Sequence, residues 1–184
     1  TRSYVLMNAP NPVSDPLATI IERLRAAVRR RFGEAADIDR IDVATLGGSN
    51  RTLLFDLVEG VARRRLVFRQ ETYTLPNSPF IAPHPQFRLL QIAQRHGVPV
   101  PVFEFAPEDD LDRGYVVGFV EGETLPRRLL HDARFADARK VFSAEAAGIL
   151  ARLHAADPAE AAFLADTPDS LDPLAAQLAR LDYY

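Results

Sequence analysis

Between Ser14 and Gly33 the apolar positions recur every three or four residues. Leu17, Ile20, Ile21, Leu24, Val28 and Phe32 fall on one face. That spacing predicts a helix, with Ser14 as N-cap, Asp15 and Pro16 in the first turn, and Gly33 at its end. From 41 to 70 the period shortens. IDVATL, TLLFDLV and RRLVFRQ are short runs rich in Val, Leu, Phe and Thr, broken at Gly47-Gly48 and near Gly60. They predict three strands joined as a meander.

Further along, PNSPFIAPHP (76–85) carries four prolines and reads as an extended loop. A second helix is expected from about Gln86 to His96, burying Phe87, Leu90 and Ile92 and stopping at Gly97. VFEFA and YVVGFVEG read as two more strands on either side of the charged turn EDDLDRG. After Gly122 the pattern becomes almost wholly helical. LPRRLLHD suggests a short helix, and residues 135–156 set Phe135, Ala138, Phe142, Ile149, Leu150 and Leu153 on one stripe before Asp157-Pro158 stops it. A last helix is expected through LDPLAAQLARL. The fold class is therefore α+β: an antiparallel sheet with a helix, then the first helices of an α-helical lobe. Three stretches are expected: an extended lead at 1–13, a first lobe at 14–121 with its preceding helix, and the start of a helical lobe at 122–184.

Composition narrows the classes. The 184 residues are 47% hydrophobic and 26% charged, as in a soluble globular protein. No apolar run approaches the roughly 20 residues of a membrane helix, and residues 1–13 lack a signal peptide's layout. No cysteine is present, which excludes disulfides, thiolate nucleophiles and cysteine metal sites. A cytoplasmic location fits. A net charge of -3 gives no general pull towards nucleic acid or anionic membranes. The clusters Arg29-Arg30-Arg31 and Arg63-Arg64-Arg65 lack interleaved aromatic residues and read as solvated faces, not a nucleic-acid patch.

Candidate chemistry gathers at LGGSNRTLLFDL (46–57). Two readings fit Gly47, Gly48, Ser49 and Asn50: a tight turn between strands, or a loop whose backbone N–H groups can face an anion. Arg69, inside the apolar run LVFRQ, could neutralise phosphate charge if its head lies on the side of the loop. Otherwise it is an edge or surface residue. Val117, Gly118, Phe119 and Val120 read as a buried strand ending at a glycine turn. His131 and His154 are followed by HDARFADAR and HAADPAEAA, and His154 reads as a packed or capping residue of its helix.

The order of parts (GGSN turn, LVFR, a helix ending in HGVPVP, GYVVGFVEG, then LARLHAADP) resembles the aminoglycoside phosphotransferase and choline kinase-like family over about residues 40–157. It looks closest to the branch of kinase-like domains found with acyl-CoA dehydrogenases. The resemblance implies a two-lobed protein-kinase-like fold with ATP between the lobes. It implies that Gly47, Gly48, Ser49 and Asn50 cover the triphosphate and that Arg69 is the basic residue of the third strand. Gln86 then falls where relatives carry that residue's glutamate partner, and Val117, Gly118, Phe119 and Val120 form the segment that pairs with adenine. Gln86 is a departure, because an amide can accept a hydrogen bond from Arg69 but cannot form an ion pair.

Phosphoryl transfer in such kinases uses a downstream Asp, a magnesium-binding Asn and a second metal-binding Asp. The four asparagines here are Asn8, Asn11, Asn50 and Asn77, none in the helical region. The expectation is a chain that stops before the catalytic segment. It would contribute no catalytic residue and no metal ligand of its own, with the Mg2+ ligands lying outside it. Three functions follow: an ATP-dependent phosphotransferase acting on a small hydroxyl-bearing substrate in its complete form, a degenerate kinase-like binding module without catalysis, or an α+β partner-binding domain with no nucleotide site.

Overall fold

Five strands form one antiparallel sheet: β1 (Ala36–Val43), β2 (Asn50–Glu59), β3 (Ala62–Glu71), β4 (Phe103–Phe105) and β5 (Gly114–Gly118), in the spatial order β1-β2-β3-β5-β4. The computed structural model describes residues 16–44, 50–71, 83–106 and 114–164. The three-stranded meander is formed as expected, and β5 inserts between β3 and β4, so the last two strands are crossed in space relative to the chain.

Helix α1 (Leu17–Phe32) covers one face of the sheet. Its Ile20, Leu24, Ala27 and Val28 join Ile38, Leu53, Phe55, Leu57, Leu66, Phe68, Phe105 and Val116 in a single buried cluster. The period-two alternation of β2 and β3 is what builds it, since Leu53 lies opposite Phe68 and Phe55 opposite Leu66. The helix ends at Gly33, whose φ of 102° is open to glycine at little cost. At the other end Pro16 occupies the N-cap and supplies no side-chain bond; the expected cap, Ser14, lies outside the described residues.

Helix α2 (Pro83–Arg95) sits on the opposite face at the β5–β4 side. It starts three residues earlier than Gln86, and the expected loop therefore ends sooner. Pro83 and Pro85 fall in its first turn, where the missing N–H groups need no intrahelical partner. Ile92 is buried, while Phe87 and Leu90 are half-buried. Gly97, with φ 69°, follows the helix as expected.

Two bulges explain how one sheet serves both helices. In β1 the register shifts between Asp39 and Ile41, with Arg40 at φ 33° as the extra residue. Ile38 and Ile41, an odd number apart, then both face α1. In β4 the register shifts between Phe103 and Phe105. Phe105 turns to α1, edge-on to Phe32 at 5.7 Å between ring centroids, and Phe103 turns to α2, stacked on Phe87 at 3.7 Å.

The helical part follows: α3 (Pro126–His131), a 3-10 turn at Ala133–Phe135, α4 (Ala136–His154) and a 3-10 segment at Pro158–Leu164. The stripe of α4 is formed but open, with Phe142 68% exposed and no residue of the helix buried. The expected helix through LDPLAAQLARL lies outside the described residues. This part is tied to the end of α2. Glu160 accepts from Arg95 at 2.9 Å and meets His96 Nε2 at 2.5 Å, Arg152 donates to the Gly97 carbonyl at 2.9 Å, and Arg88 lies 3.8 Å from the Phe163 ring centroid. Among the described residues no helix is long and apolar enough to cross a membrane.

Candidate functional site

The basic clusters are spent within the fold. Arg63 pairs with Asp39, Arg64 with Glu59 and Glu104, and Arg65 with Asp42 at 2.8 Å. Arg29 reaches Asp37, and Arg31 lies over the Phe32 ring. Neighbouring cations hold several carboxyls below their ordinary range. Asp37 is lowered first by the Ile38 amide and then by Arg25, and Asp39 first by Arg63. At Arg29, Arg63, Arg64 and Arg65 the positive charge is matched locally by acid among the described residues.

Arg69 differs. It alternates against the buried Phe68 and Gln70, so its side chain lies on the face away from α1, the face that carries α2. Its cross-strand neighbours are Thr52 on β2 and Tyr115 on β5. Arg69 is half-buried, and among the described residues no carboxylate forms an ion pair with it. Thr52 is two positions along β2 from Asn50, whose backbone opens the strand opposite Glu71. Gly47, Gly48 and Ser49 lie outside the described residues, as does the side chain of Asn50.

Gln86 is brought to the same neighbourhood, with a partner that the sequence did not suggest. The Tyr115 hydroxyl donates to Gln86 Oε1 at 3.1 Å. Tyr115 is 4% exposed and directly opposite Arg69. The alternation of YVVG could have singled it out, because a tyrosine buried in a strand needs a polar partner for its hydroxyl.

The segment 117–120, at the end of β5, is partly consumed by the sheet. Val117 pairs with Val67 on one side and Phe103 on the other. The Gly118 N–H donates to the Val102 carbonyl at 2.7 Å and the Phe119 N–H to the Arg65 carbonyl at 3.0 Å. Arg65 also lies 4.9 Å from the Phe119 ring centroid, so one residue holds Phe119 by backbone and by ring. Val120 is 65% exposed. His154 is exposed in the last turn of α4, so it is not a packed histidine.

A family model described as the phosphotransferase enzyme family matches residues 41–184. The chain belongs to that family. Its function is accordingly that of a kinase-like phosphotransferase in general terms, and its five-stranded sheet with helices agrees with the N-terminal lobe of a kinase-like fold. The match begins within β1, so α1, which supplies much of the buried core, precedes the matched region of this phosphotransferase. No curated protein and no solved structure matches the chain.

Members of the family generally use ATP and Mg2+. Among the described residues of this phosphotransferase, no group of three or more His, Asp or Glu side chains is arranged to hold a metal ion. The half-buried guanidinium of Arg69, which pairs with no carboxylate among those residues, does suit an anionic ligand.

Proposed function

We propose that the chain handles ATP on the α2 face of its sheet, as the nucleotide lobe of a small-molecule kinase that transfers the γ-phosphoryl group to a substrate hydroxyl. The observation that carries this reading is Arg69. It is a half-buried cation on the α2 face, near the start of β2 and thus near the end of the Gly47-Gly48-Ser49-Asn50 connection. In this reading the backbone N–H groups of residues 47–50 cover the phosphates and Arg69 offsets their charge. Adenine is read beside Val117–Val120. With the Gly118 and Phe119 N–H groups already engaged, the Phe119 carbonyl and the Val120 N–H are the edge that remains for a base. The likeness of GGSN and LVFR to the acyl-CoA dehydrogenase-associated branch extends the proposal to that branch, and a cytoplasmic setting suits an ATP-dependent enzyme.

Titration calorimetry of ATP, ADP and adenosine into the protein, with and without magnesium, tests the reading. Affinity is expected to fall as phosphates are removed. Equal binding of adenosine and ATP, or no heat with any of them, would contradict it.

One observation favours a second reading, a nucleotide-binding module without catalysis: Gln86, at the α2 position where the resemblance expects a carboxylate partner for Arg69, is an amide held by Tyr115. ATP consumption with a panel of hydroxyl-bearing acceptors separates the two. Turnover supports the kinase, and binding without turnover supports the module.

A further inference from the structure

Helix α2 must be fixed on the sheet if the face beneath it is to have a definite shape. In the described residues its polar contact with the sheet is the neutral hydrogen bond from Tyr115 to Gln86 Oε1, at 3.1 Å. The next residue, Phe87, stacks on Phe103 at 3.7 Å and 23° between ring planes. Tyr115 is 4% exposed, stands directly across from Arg69, and emerges from the strand at the centre of the β3–β5–β4 ladder. Among the described residues the Arg69 guanidinium makes neither a hydrogen bond to Gln86 nor an ion pair with a carboxylate, while the Gln86 Oε1 accepts from the Tyr115 hydroxyl.

We propose that Tyr115 is a positioning residue: its hydroxyl docks α2 on the sheet in place of the cation at 69, and this leaves the Arg69 guanidinium uncommitted for an anionic ligand. The inference deepens the reading given under Proposed function and rests on it for the identity of that anion. It has a physical consequence of its own. A hydrogen bond between two neutral groups is not screened by salt, whereas a helix held through an ion pair loosens as ionic strength rises. The sheet-side seat of α2 at Gln86 is therefore independent of salt and of whether Arg69 is occupied, whereas the Arg95–Glu160 ion pair at the far end of the helix is not.

Hydrogen exchange of the α2 amides over residues 86–91, away from the Arg95–Glu160 ion pair, reads the docking directly and needs no ligand. Tyr115→Phe keeps the ring and removes only the donor. It is expected to speed exchange in α2 by about fivefold, the factor expected for one lost neutral hydrogen bond. Gln86→Leu should do the same, and the double variant should add nothing to either. Arg69→Gln should leave α2 exchange within about twofold of the unaltered protein, as should raising NaCl from low to high concentration. The proposal is overturned if Tyr115→Phe leaves α2 unchanged, if Arg69→Gln loosens α2 as much, if salt loosens it, or if the two α2-contact variants are additive. ATP titration of the same proteins is read separately. Absence of ATP binding in the unaltered chain would refute the nucleotide reading while the exchange data still decide the role of Tyr115.

Discussion

Gly114 opens β5 across from Gln70, with the Phe68 ring beneath it. A Cβ at this position would lie 2.4 Å from Phe68 Cε2, 2.7 Å from Cζ and 3.0 Å from the Arg69 carbonyl oxygen. Ordinary carbon contacts need about 3.5–4.0 Å, so something must move by about 1 Å. Phe68 is fully buried in the α1 cluster, so moving its ring displaces its core neighbours. Gly114→Ala should therefore cost about 1–3 kcal/mol through overpacking. For a chain of this size that is roughly 2–12 °C in melting temperature. The same insertion disturbs the β3–β5 register that sets Tyr115 against Arg69. Urea unfolding followed by circular dichroism measures the cost. Gly122→Ala serves as the control, because a Cβ there meets nothing within 4 Å, and it should be neutral or slightly stabilising. Phe68→Leu removes the clashing ring atoms, so Gly114→Ala should cost markedly less in that background. An equal cost in both backgrounds would refute the steric argument.

Two further outcomes follow from the packing and the ion pairs. Leu24, fully buried between α1 and the sheet, should lose about 2–5 kcal/mol on Leu24→Ala, read by the same urea midpoints, with a loss under 1 kcal/mol counting against α1 as a core element. The Glu160 carboxyl is held below its usual range first by Arg95 and then by His96. Because the folded value is the depressed one, its contribution is present above the unfolded pKa of about 4.3 and is lost as pH falls through the folded value. Exchange of residues 158–164 should accelerate below about pH 4, and Glu160→Gln should show that acceleration already at pH 7 with no further acid step. An unchanged acid step in the variant would contradict the role given to this carboxylate.

Most of the architecture was legible because apolar period and helix stops agree with each other. The α1 stripe, the three strands of the meander, the helix ended by Gly97 and the strand at VFEFA appear where their residues predict them, while the strand expected over YVVGFVEG stops at Gly118, short of residues 119–122. What escaped the pattern has local causes. β1 begins at Ala36 and not at residue 41, because the bulge at Arg40 breaks the alternation that would have joined Ile38 to Ile41. The three early residues of α2 were hidden by prolines, which read as loop yet are tolerated in a first turn. The opposite facing of Phe103 and Phe105 needs a bulge that no residue in VFEFA announces. At the candidate site, the side of the sheet that bears Arg69 follows from alternation within LVFRQ. The Tyr115–Gln86 bond does not, since it joins residues 29 positions apart and depends on how β5 inserts beside β3.

The central claim is that Arg69, and not positive charge in general, holds the phosphates of a nucleotide. The most direct measurement is ATP affinity of Arg69→Ala set against Arg64→Ala, a loss of equal charge on the α1 face, where Arg64 is paired with Glu59 and Glu104. Loss of a charge-assisted hydrogen bond predicts a decrease of about tenfold to a hundredfold at 69 and less than about twofold at 64. Equal losses at the two positions, or an unchanged affinity at 69, would contradict the account.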